Sequence, residues 1–297
     1  MILIRYGELS LKRNLRKKFE DILVSNIHRV AREEGIVGRV KREWGRIYFS
    51  TTHERIVAKR FSFIFGVVST SPAIECSSEL EDIESTAEVF LDDVKRHRSF
   101  AIRVRRSGTH EYTSMDVARF VGAKIKEKSD RMVDLKNPDF EIFIEVREEK
   151  AYVFSETFKG FGGLPVGTQG RVLAMDEVSA WFALRRGCDI DLSVECSAKD
   201  DTGLELLRAW ACYRKVGKVE LNFKEALKSN YPAIFCSFNM NELIANEGIL
   251  RKRKMPVLTP LASEKVYSRD KVEKILNSIS ELIECVHTKC RYSEREQ

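Results

Sequence analysis

The sequence predicts three consecutive domains, two mixed α+β domains followed by a doubly wound α/β domain with a parallel sheet. Two observations support this fold class. The order of strand and helix patterns changes along the 297-residue chain, and a glycine-rich segment at 160–170 separates the two kinds of pattern. Apolar residues mostly alternate before this segment and recur at helical spacing after it. The predicted domain boundaries are 1–75, 76–167 and 168–297.

The first domain is predicted by a β-α-β-β-α-β order of patterns, which is the split βαβ arrangement of ferredoxin-like domains. The predicted elements are a strand at 2–6, a helix at 10–33, a hairpin around Trp44 and Gly45, a helix at 52–65 and an extended segment at 67–75.

The second domain is predicted as a compact α+β unit. Its elements are a helix at 79–96, a strand at 99–107, a helix at 113–128, a strand at 140–146 and a strand beginning at 151. Ser114 is the predicted N-cap of the second helix, since serine hydroxyls accept from the free amides of a first turn.

The third domain is predicted from strands and helices that alternate along the chain. A strand at 171–175 precedes a helix at 176–186, and further β-α units follow, with a strand at 218–223, a short helix at 223–229 and a last helix at 268–289. Repeated β-α units form a parallel sheet with helices on both faces. In such sheets ligands bind beyond the carboxyl ends of the strands.

The glycine-rich segment is predicted to be an ordered crossing between the domains. Gly162 and Gly163 have no side chains, so their amides are able to approach a nucleic-acid backbone closely. Leu164 and Pro165 follow and fix one extended step. A turn packed within the protein is the other interpretation, and both stay open at this stage.

Composition and charge favour a folded protein with a polyanionic partner. The net charge is +6, and the basic excess is concentrated in residues 1–75. An ordinary solvated basic face is the alternative. No apolar run approaches the ~20 residues of a membrane span, no leader pattern opens the sequence, and the seven cysteines are scattered, so we expect reduced thiols, no membrane partner and a cytoplasmic location.

Basic residues of the second domain are candidates for binding phosphates. They are Arg103, Arg105, Arg106, Lys124 and Lys128. Arg103 and Arg105 lie two positions apart in the predicted strand, so they point to the same side, where two guanidinium groups are able to bind adjacent phosphates. The alternative is pairing of these arginines with Glu141 and Glu145 on a neighbouring strand.

The first β-α turn of the third domain, residues 174–181, lacks glycine. A phosphate-binding turn needs glycines so that amides and a helix N-terminus can surround the phosphate. Asp176 and Glu177 instead bring negative charge to this place, which argues against tight ATP binding. Asp176 as a helix N-cap explains the turn without a ligand.

Cysteine chemistry offers two weaker candidates. Cys188 follows Arg185 and Arg186, a basic setting that would activate a thiol. Cys285, His287 and Cys290 have the chemistry of metal ligands but not the usual spacing, and a fourth ligand is missing. Buried, inert thiols are the favoured interpretation, and no metal is predicted.

Four motifs together resemble the tRNA 4-thiouridine synthetase family, whose members are also called tRNA sulfurtransferases. They are RYGELSLK (5–12), FAIRVRR (100–106), VDLKNPD (133–139) and GFGGLPVGTQGRVL (160–173). The resemblance implies an N-terminal ferredoxin-like domain, a THUMP domain and an adenine-nucleotide alpha-hydrolase (PP-loop) domain. It also implies that the first two domains bind tRNA, with the THUMP domain at the acceptor end. The implied tRNA contacts are Arg103, Arg105, Arg106, Lys124, Lys128, Gly162, Gly163, Leu164 and Pro165.

The third domain departs from the family pattern at the PP-loop. Where the family has Ser-Gly-Gly-x-Asp-Ser, this chain reads DEVSA. The remnant of the nucleotide site would consist of Leu173, Ala174, Asp176 and Ser179, and ATP with magnesium would bind only if that remnant works. The segment expected to carry the sulfur-transferring cysteine is shortened, so no catalytic residue is assigned.

Three functions follow from these observations, in order of preference. The first is a tRNA-binding family member with an impaired ATP site, partnered by a second copy of itself or by an intact sulfurtransferase. The second is a working ATP-dependent tRNA sulfurtransferase with an altered loop. The third is a protein-binding module without affinity for RNA.

Overall fold

A computed structural model of the chain describes residues 1–7, 15–43, 45–194, 202–251, 255–262 and 267–292. Trp44 of the predicted hairpin and the predicted start of the first helix lie outside these ranges. The chain divides into two compact units. One contains Met1–Leu3 and Ser71–Thr157, and the other contains Ile4–Thr70 and Phe158–Gln297.

The described part of the chain forms eleven α-helices and fifteen strands. The helices are α1 Arg16–Glu33, α2 Glu54–Phe61, α3 Leu80–Ala87, α4 Leu91–Arg96, α5 Ser114–Ser129, α6 Glu177–Arg185, α7 Thr202–Trp210, α8 Phe223–Ala226, α9 Met240–Ala245, α10 Glu247–Leu250 and α11 Arg269–Tyr292. The strands are β1 Ile2–Tyr6, β2 Arg39–Glu43, β3 Arg46–Ser50, β4 Val67–Pro72, β5 Ile74–Ser77, β6 Ser99–Ser107, β7 Met132–Val133, β8 Phe140–Arg147, β9 Lys150–Phe154, β10 Phe158–Lys159, β11 Arg171–Ala174, β12 Asp189–Ser193, β13 Gly217–Val219, β14 Ile234–Phe235 and β15 Val257–Leu258.

The first sheet has the strand order β10-β4-β1-β3-β2. Its first four strands in the chain, with α1 and α2, follow the predicted β-α-β-β-α-β order. The sequence did not predict β10, whose Phe158 pairs antiparallel with Thr70 of β4. A two-residue strand carries too little periodicity to be recognised in the sequence.

The second sheet has the order β5-β9-β8-β6-β7 and lies wholly in the unit that contains Ser71–Thr157. Phe100, Ile102 and Val104 of β6 pack with α3 and α5 in its core, as their alternation predicted. The N-cap of α5 is Thr113 rather than the predicted Ser114. Thr113 forms a reciprocal capping box with Asp116, which satisfies two amides at once.

The third sheet confirms the predicted parallel α/β domain. Its order is β13-β12-β11-β14-β15, and all its strand pairs are parallel. The order of connection reverses between β11 and β14, so the ligand crevice of such a fold lies beyond the carboxyl ends of these two strands. The predicted strand at 218–223 ends earlier, at Val219, because Asn222 caps α8. The predicted short helix at 223–229 is present as α8.

Residues 4–70 and 158–297 share one core in the second unit. Phe65, which precedes β4, packs with Trp181 of α6 and Trp210 of α7 at ring-centroid distances of 5.5 and 5.3 Å. Phe161 of the glycine-rich segment contacts both tryptophans. The fully buried Arg60 donates to Glu34 and to the carbonyl of Ala209. Apolar packing and the hydrogen bonds from Arg60 to the Ala209 carbonyl and from the Tyr213 hydroxyl to Glu34 therefore join the ferredoxin-like fold to the parallel-sheet fold.

Candidate nucleic-acid interface and nucleotide crevice

Arg103 and Arg105 lie on the same side of β6, opposite the side that packs against α5. The Nε of Arg103 donates to Glu141 at 2.6 Å, and its Nη2 donates to the carbonyl of Leu135 at 3.0 Å. The pairing alternative is thus realised for Arg103. It is not realised for Arg105, which is exposed and makes no ion pair or hydrogen bond with its side chain among the described residues. Arg105 is therefore the arginine of this strand whose guanidinium is most available to a phosphate.

Arg106 belongs to the other side of the strand, because side chains alternate along β6. Its Nη1 donates to the carbonyl of Gly108 at 3.0 Å and contacts Nδ1 of His110 at 3.1 Å. The three arginines predicted to bind tRNA therefore do not form one continuous patch, and Arg106 is held by the loop that follows its own strand.

The predicted lysines of α5 already have carboxylate neighbours. Lys128 pairs with Glu84 at 3.0 Å and with Glu88, and the bond from Glu88 raises the pKa of Lys128. Lys124 lies 3.8 Å from Glu127, one turn along the same helix. Exposed pairs of this kind are weak, so both lysines are able to exchange their partner for a phosphate.

The glycine-rich segment is an ordered, packed crossing. The Gly162 amide donates to the carbonyl of Val67, and the Leu164 amide donates to the carbonyl of Arg185. Gly163 has φ +76°, and a Cβ built on it would lie 2.2 Å from the Arg185 carbonyl oxygen. Glycine at 163 is therefore explained by protein packing. A contact of Gly162, Gly163, Leu164 and Pro165 with tRNA stays a prediction.

The candidate nucleotide crevice lies at the carboxyl ends of β11 and β14. Leu173 and Ala174 of the predicted remnant are fully buried strand residues, so their side chains do not line an open pocket. Asp176 is the N-cap of α6, which confirms the prediction from the sequence. Its carboxylate accepts from the amide of Ser179 at 2.9 Å, and the Ser179 hydroxyl contacts the Asp176 backbone in return.

Two residues that sequence reasoning missed complete this crevice. Ser237, just beyond β14, donates its hydroxyl to the second carboxylate oxygen of Asp176 at 2.7 Å. Arg269, the first residue of α11, donates to the Ser237 hydroxyl at 2.5 Å. The Asp176 carboxylate therefore occupies the helix N-terminus at which a phosphate binds in nucleotide-binding turns. Each oxygen of the Asp176 carboxylate thus accepts a hydrogen bond from the protein itself.

Cys188 lies next to the turn that ends α6 and is only 7% exposed. Burial raises the pKa of its thiol to about 11, although Arg186 acts in the opposite direction. Burial therefore outweighs the basic setting that suggested an activated nucleophile.

We expect Cys188 to react with iodoacetamide at neutral pH roughly two orders of magnitude more slowly than a free thiol, whose pKa is ~8.5. Peptide mass spectrometry over a time course measures this rate, with glutathione as the reference. Alkylation in concentrated urea is the control and should be fast, since unfolding removes the burial. A native rate equal to that of glutathione would contradict the expectation.

Within the described ranges, no group of three or more His, Cys, Asp or Glu side chains is arranged to hold a metal ion. No described helix combines the length and the apolar composition needed to cross a bilayer.

Comparison with known domain families identifies two regions of the chain. The model of the ThiI ferredoxin-like domain matches residues 1–71, and the model of the THUMP domain matches residues 77–156.

Among curated proteins, the chain is 40% identical over 234 residues to a probable tRNA sulfurtransferase of Methanosarcina acetivorans, covering 73% of this chain and 56% of that protein. It is 32% identical over 271 residues to a probable tRNA sulfurtransferase of Thermococcus kodakarensis, covering 81% of this chain and 71% of that protein. The chain spans little more than half the length of the Methanosarcina relatives.

Two solved structures share the fold. The Pyrococcus horikoshii protein PH1313 matches with a TM-score of 0.75 and 27% identity, over 94% of this chain and 99% of that one. A 4-thiouridine synthetase–RNA complex with bound ATP matches with a TM-score of 0.69 and 21% identity, over 97% of this chain and 86% of that one. At that identity the second similarity concerns the fold alone.

Proposed function

Because the chain belongs to the tRNA sulfurtransferase family, we propose that it binds the acceptor end of tRNA and that its own crevice does not hold ATP. The observation that carries the second part is the Asp176 carboxylate, which accepts from the Ser179 amide and the Ser237 hydroxyl at the phosphate position. The first part rests on the family and on the guanidinium of Arg105, which is exposed and has no ion-pair partner in the described part of the chain.

Binding to tRNA is expected to depend on phosphate contacts. Among the described residues Arg105 has no carboxylate partner, whereas Arg103 must exchange Glu141 for a phosphate. Arg105 therefore binds a phosphate at lower cost. Shape and backbone contacts dominate the recognition of paired RNA ends, so the affinity should fall steeply as salt is added.

We expect Arg105→Ala to weaken tRNA binding several-fold and to reduce the slope of log Kd against log salt by about 0.7–0.9, the value of one phosphate contact. Filter binding with total tRNA between about 50 and 200 mM salt measures both effects. Arg96→Ala is the matched control, because Arg96 is exposed in the same unit and paired with Asp93. Absence of any tRNA affinity in the wild-type protein at low salt would overturn the tRNA-binding proposal and favour a protein-binding module.

We expect isothermal titration with ATP and magnesium to give no saturable heat, whether or not tRNA is present. The negative carboxylate of Asp176 repels the triphosphate, and the turn from 174 to 181 offers no glycine amides. An intact tRNA sulfurtransferase is the positive control for the nucleotide. Saturable ATP binding would reverse the second part of the proposal and favour a working sulfurtransferase. A second copy or an intact sulfurtransferase as partner stays a prediction.

A further inference from the structure

The loop that follows β6 is fastened at one end of the second sheet by a histidine. Nδ1 of His110 lies 3.1 Å from Nη1 of Arg106, and its Nε2 lies 2.6 Å from the carbonyl oxygen of Glu148 in the turn between β8 and β9. The imidazole also stacks on Tyr112, with ring centroids 5.1 Å apart and planes at 28°.

These contacts specify one protonation state of the imidazole. A guanidinium only donates hydrogen bonds, so Nδ1 of His110 must be bare to accept from Arg106. A carbonyl oxygen only accepts, so Nε2 must carry the proton that it donates to Glu148. The arrangement therefore requires neutral His110 in the Nε2–H form, because a second proton on Nδ1 would face the Arg106 donor and add a like charge beside it.

Arg106 depends strongly on this contact. Its Nε is buried without a hydrogen-bond partner among the described residues, and only Nη1 makes hydrogen bonds, to His110 and to the Gly108 carbonyl. The loop approaches the turn closely at Gly108, where φ is +110° and a Cβ would lie 2.9 Å from the Glu148 carboxylate. Loss of the histidine contact would leave the guanidinium with a single carbonyl acceptor.

We propose that His110 is a positioning residue whose neutral form fixes Arg106 and the loop at 108–113, and whose protonation releases both. The consequence for RNA rests on the proposed function, since Arg106 is one of the predicted tRNA contacts. The charged or titratable groups around the imidazole are Arg106 on β6, Glu148 in the β8–β9 turn, Glu111 and Tyr112 on the same loop, and Glu79, which acts electrostatically on Tyr112.

The first test reads the imidazole directly and needs no RNA. Long-range ¹⁵N–¹H NMR of the full chain at about pH 8 should show a bare Nδ1 and a protonated Nε2 for His110, and acidification to about pH 5.5 should shift the Gly108 and Glu148 amides together with the ring. His110→Asn is the informative variant, because an asparagine oxygen can replace Nδ1 as the acceptor but takes up no proton. In that variant the two amides should no longer follow pH. A proton on Nδ1 at pH 8, or equal amide shifts in both proteins, would overturn the proposal.

The second test connects the loop to RNA. The tRNA affinities of wild type and His110→Asn should agree at about pH 7.5. At about pH 5.5 and fixed ionic strength wild type should bind several-fold more tightly than His110→Asn, because the second proton adds positive charge and frees Nη1 of Arg106 for a phosphate. His28→Asn, at an exposed position of α1, is the matched control for histidine charge. Equal affinities of wild type and His110→Asn at both pH values would overturn the consequence for RNA. If no protein binds tRNA at either pH, the proposed function fails while the NMR experiment still decides the role of His110.

Discussion

Replacing Glu34 with glutamine is expected to lower the free energy of unfolding by about 3–5 kcal/mol, the cost of leaving one member of a buried ion pair without its partner. The Glu34 carboxylate accepts from Nε and Nη2 of Arg60 and from the hydroxyl of Tyr213 at 2.9 Å. The Arg60 and Glu34 side chains are 1% and 0% exposed, so water cannot solvate the guanidinium once the negative charge is removed. Urea unfolding followed by tryptophan fluorescence measures the change, since Trp181 and Trp210 are both buried.

A solvent-exposed ion pair is the control that separates the effect of burial from the effect of losing a charge. Arg251 and Glu247 form an i, i+4 pair whose side chains are 77% and 57% exposed. Glu247→Gln should therefore change stability by no more than about 0.5 kcal/mol. Simultaneous replacement of Glu34 and Arg60 by apolar residues of similar volume should recover much of the loss, because no charge is then left in the interior. A loss below about 1 kcal/mol for Glu34→Gln would mean that the guanidinium finds water or another acceptor.

The sequence predicted the architecture because each of its signals is local. Alternation in β6 and β8, helical spacing in α5 and the β-α repeats after residue 170 depend on neighbouring residues, and the structure has all of them. The elements that were missed are short. α9 and α10 have six and four residues, which is too few for a helical period to be recognised.

The sequence predicted the contacts of the candidate sites only where the interacting residues are close together in the chain. Asp176 as an N-cap depends on Ser179, three residues away, and was predicted correctly. Ser237 and Arg269 reach the same carboxylate only through the fold, so no spacing in the sequence indicates them. The burial of Arg60 against Glu34 depends on packing between distant segments, so no local pattern in the sequence indicates it.

Replacing Trp210 should also have a large effect, because the aromatic rings around it come from both residues 4–70 and residues 158–297. Phe63 and Phe65, which precede β4, lie 5.3 Å from Trp210, and Phe161 and Trp181, which follow Phe158, lie at 5.2 and 6.0 Å. Trp210 is fully buried, and its indole N–H donates to the carbonyl of Leu276 on α11 at 3.2 Å. We expect Trp210→Ala to lower stability by about 3–5 kcal/mol through lost apolar burial and the cavity left behind.

Because Trp210 packs against residues of both segments, its replacement should destabilise both of them. If residues 4–70 and 158–297 unfold as one cooperative unit, hydrogen exchange in Trp210→Ala should accelerate in the buried strands β3 and β11 to a similar extent. Trp210→Phe is the control. It loses the hydrogen bond to the Leu276 carbonyl, but it keeps an aromatic ring in the cluster, so its loss of stability should be smaller than that of Trp210→Ala. Faster exchange confined to β11 would show that the ferredoxin-like fold is stable without this core. Acceleration in both strands would show that the ferredoxin-like fold depends on the parallel-sheet fold for its stability.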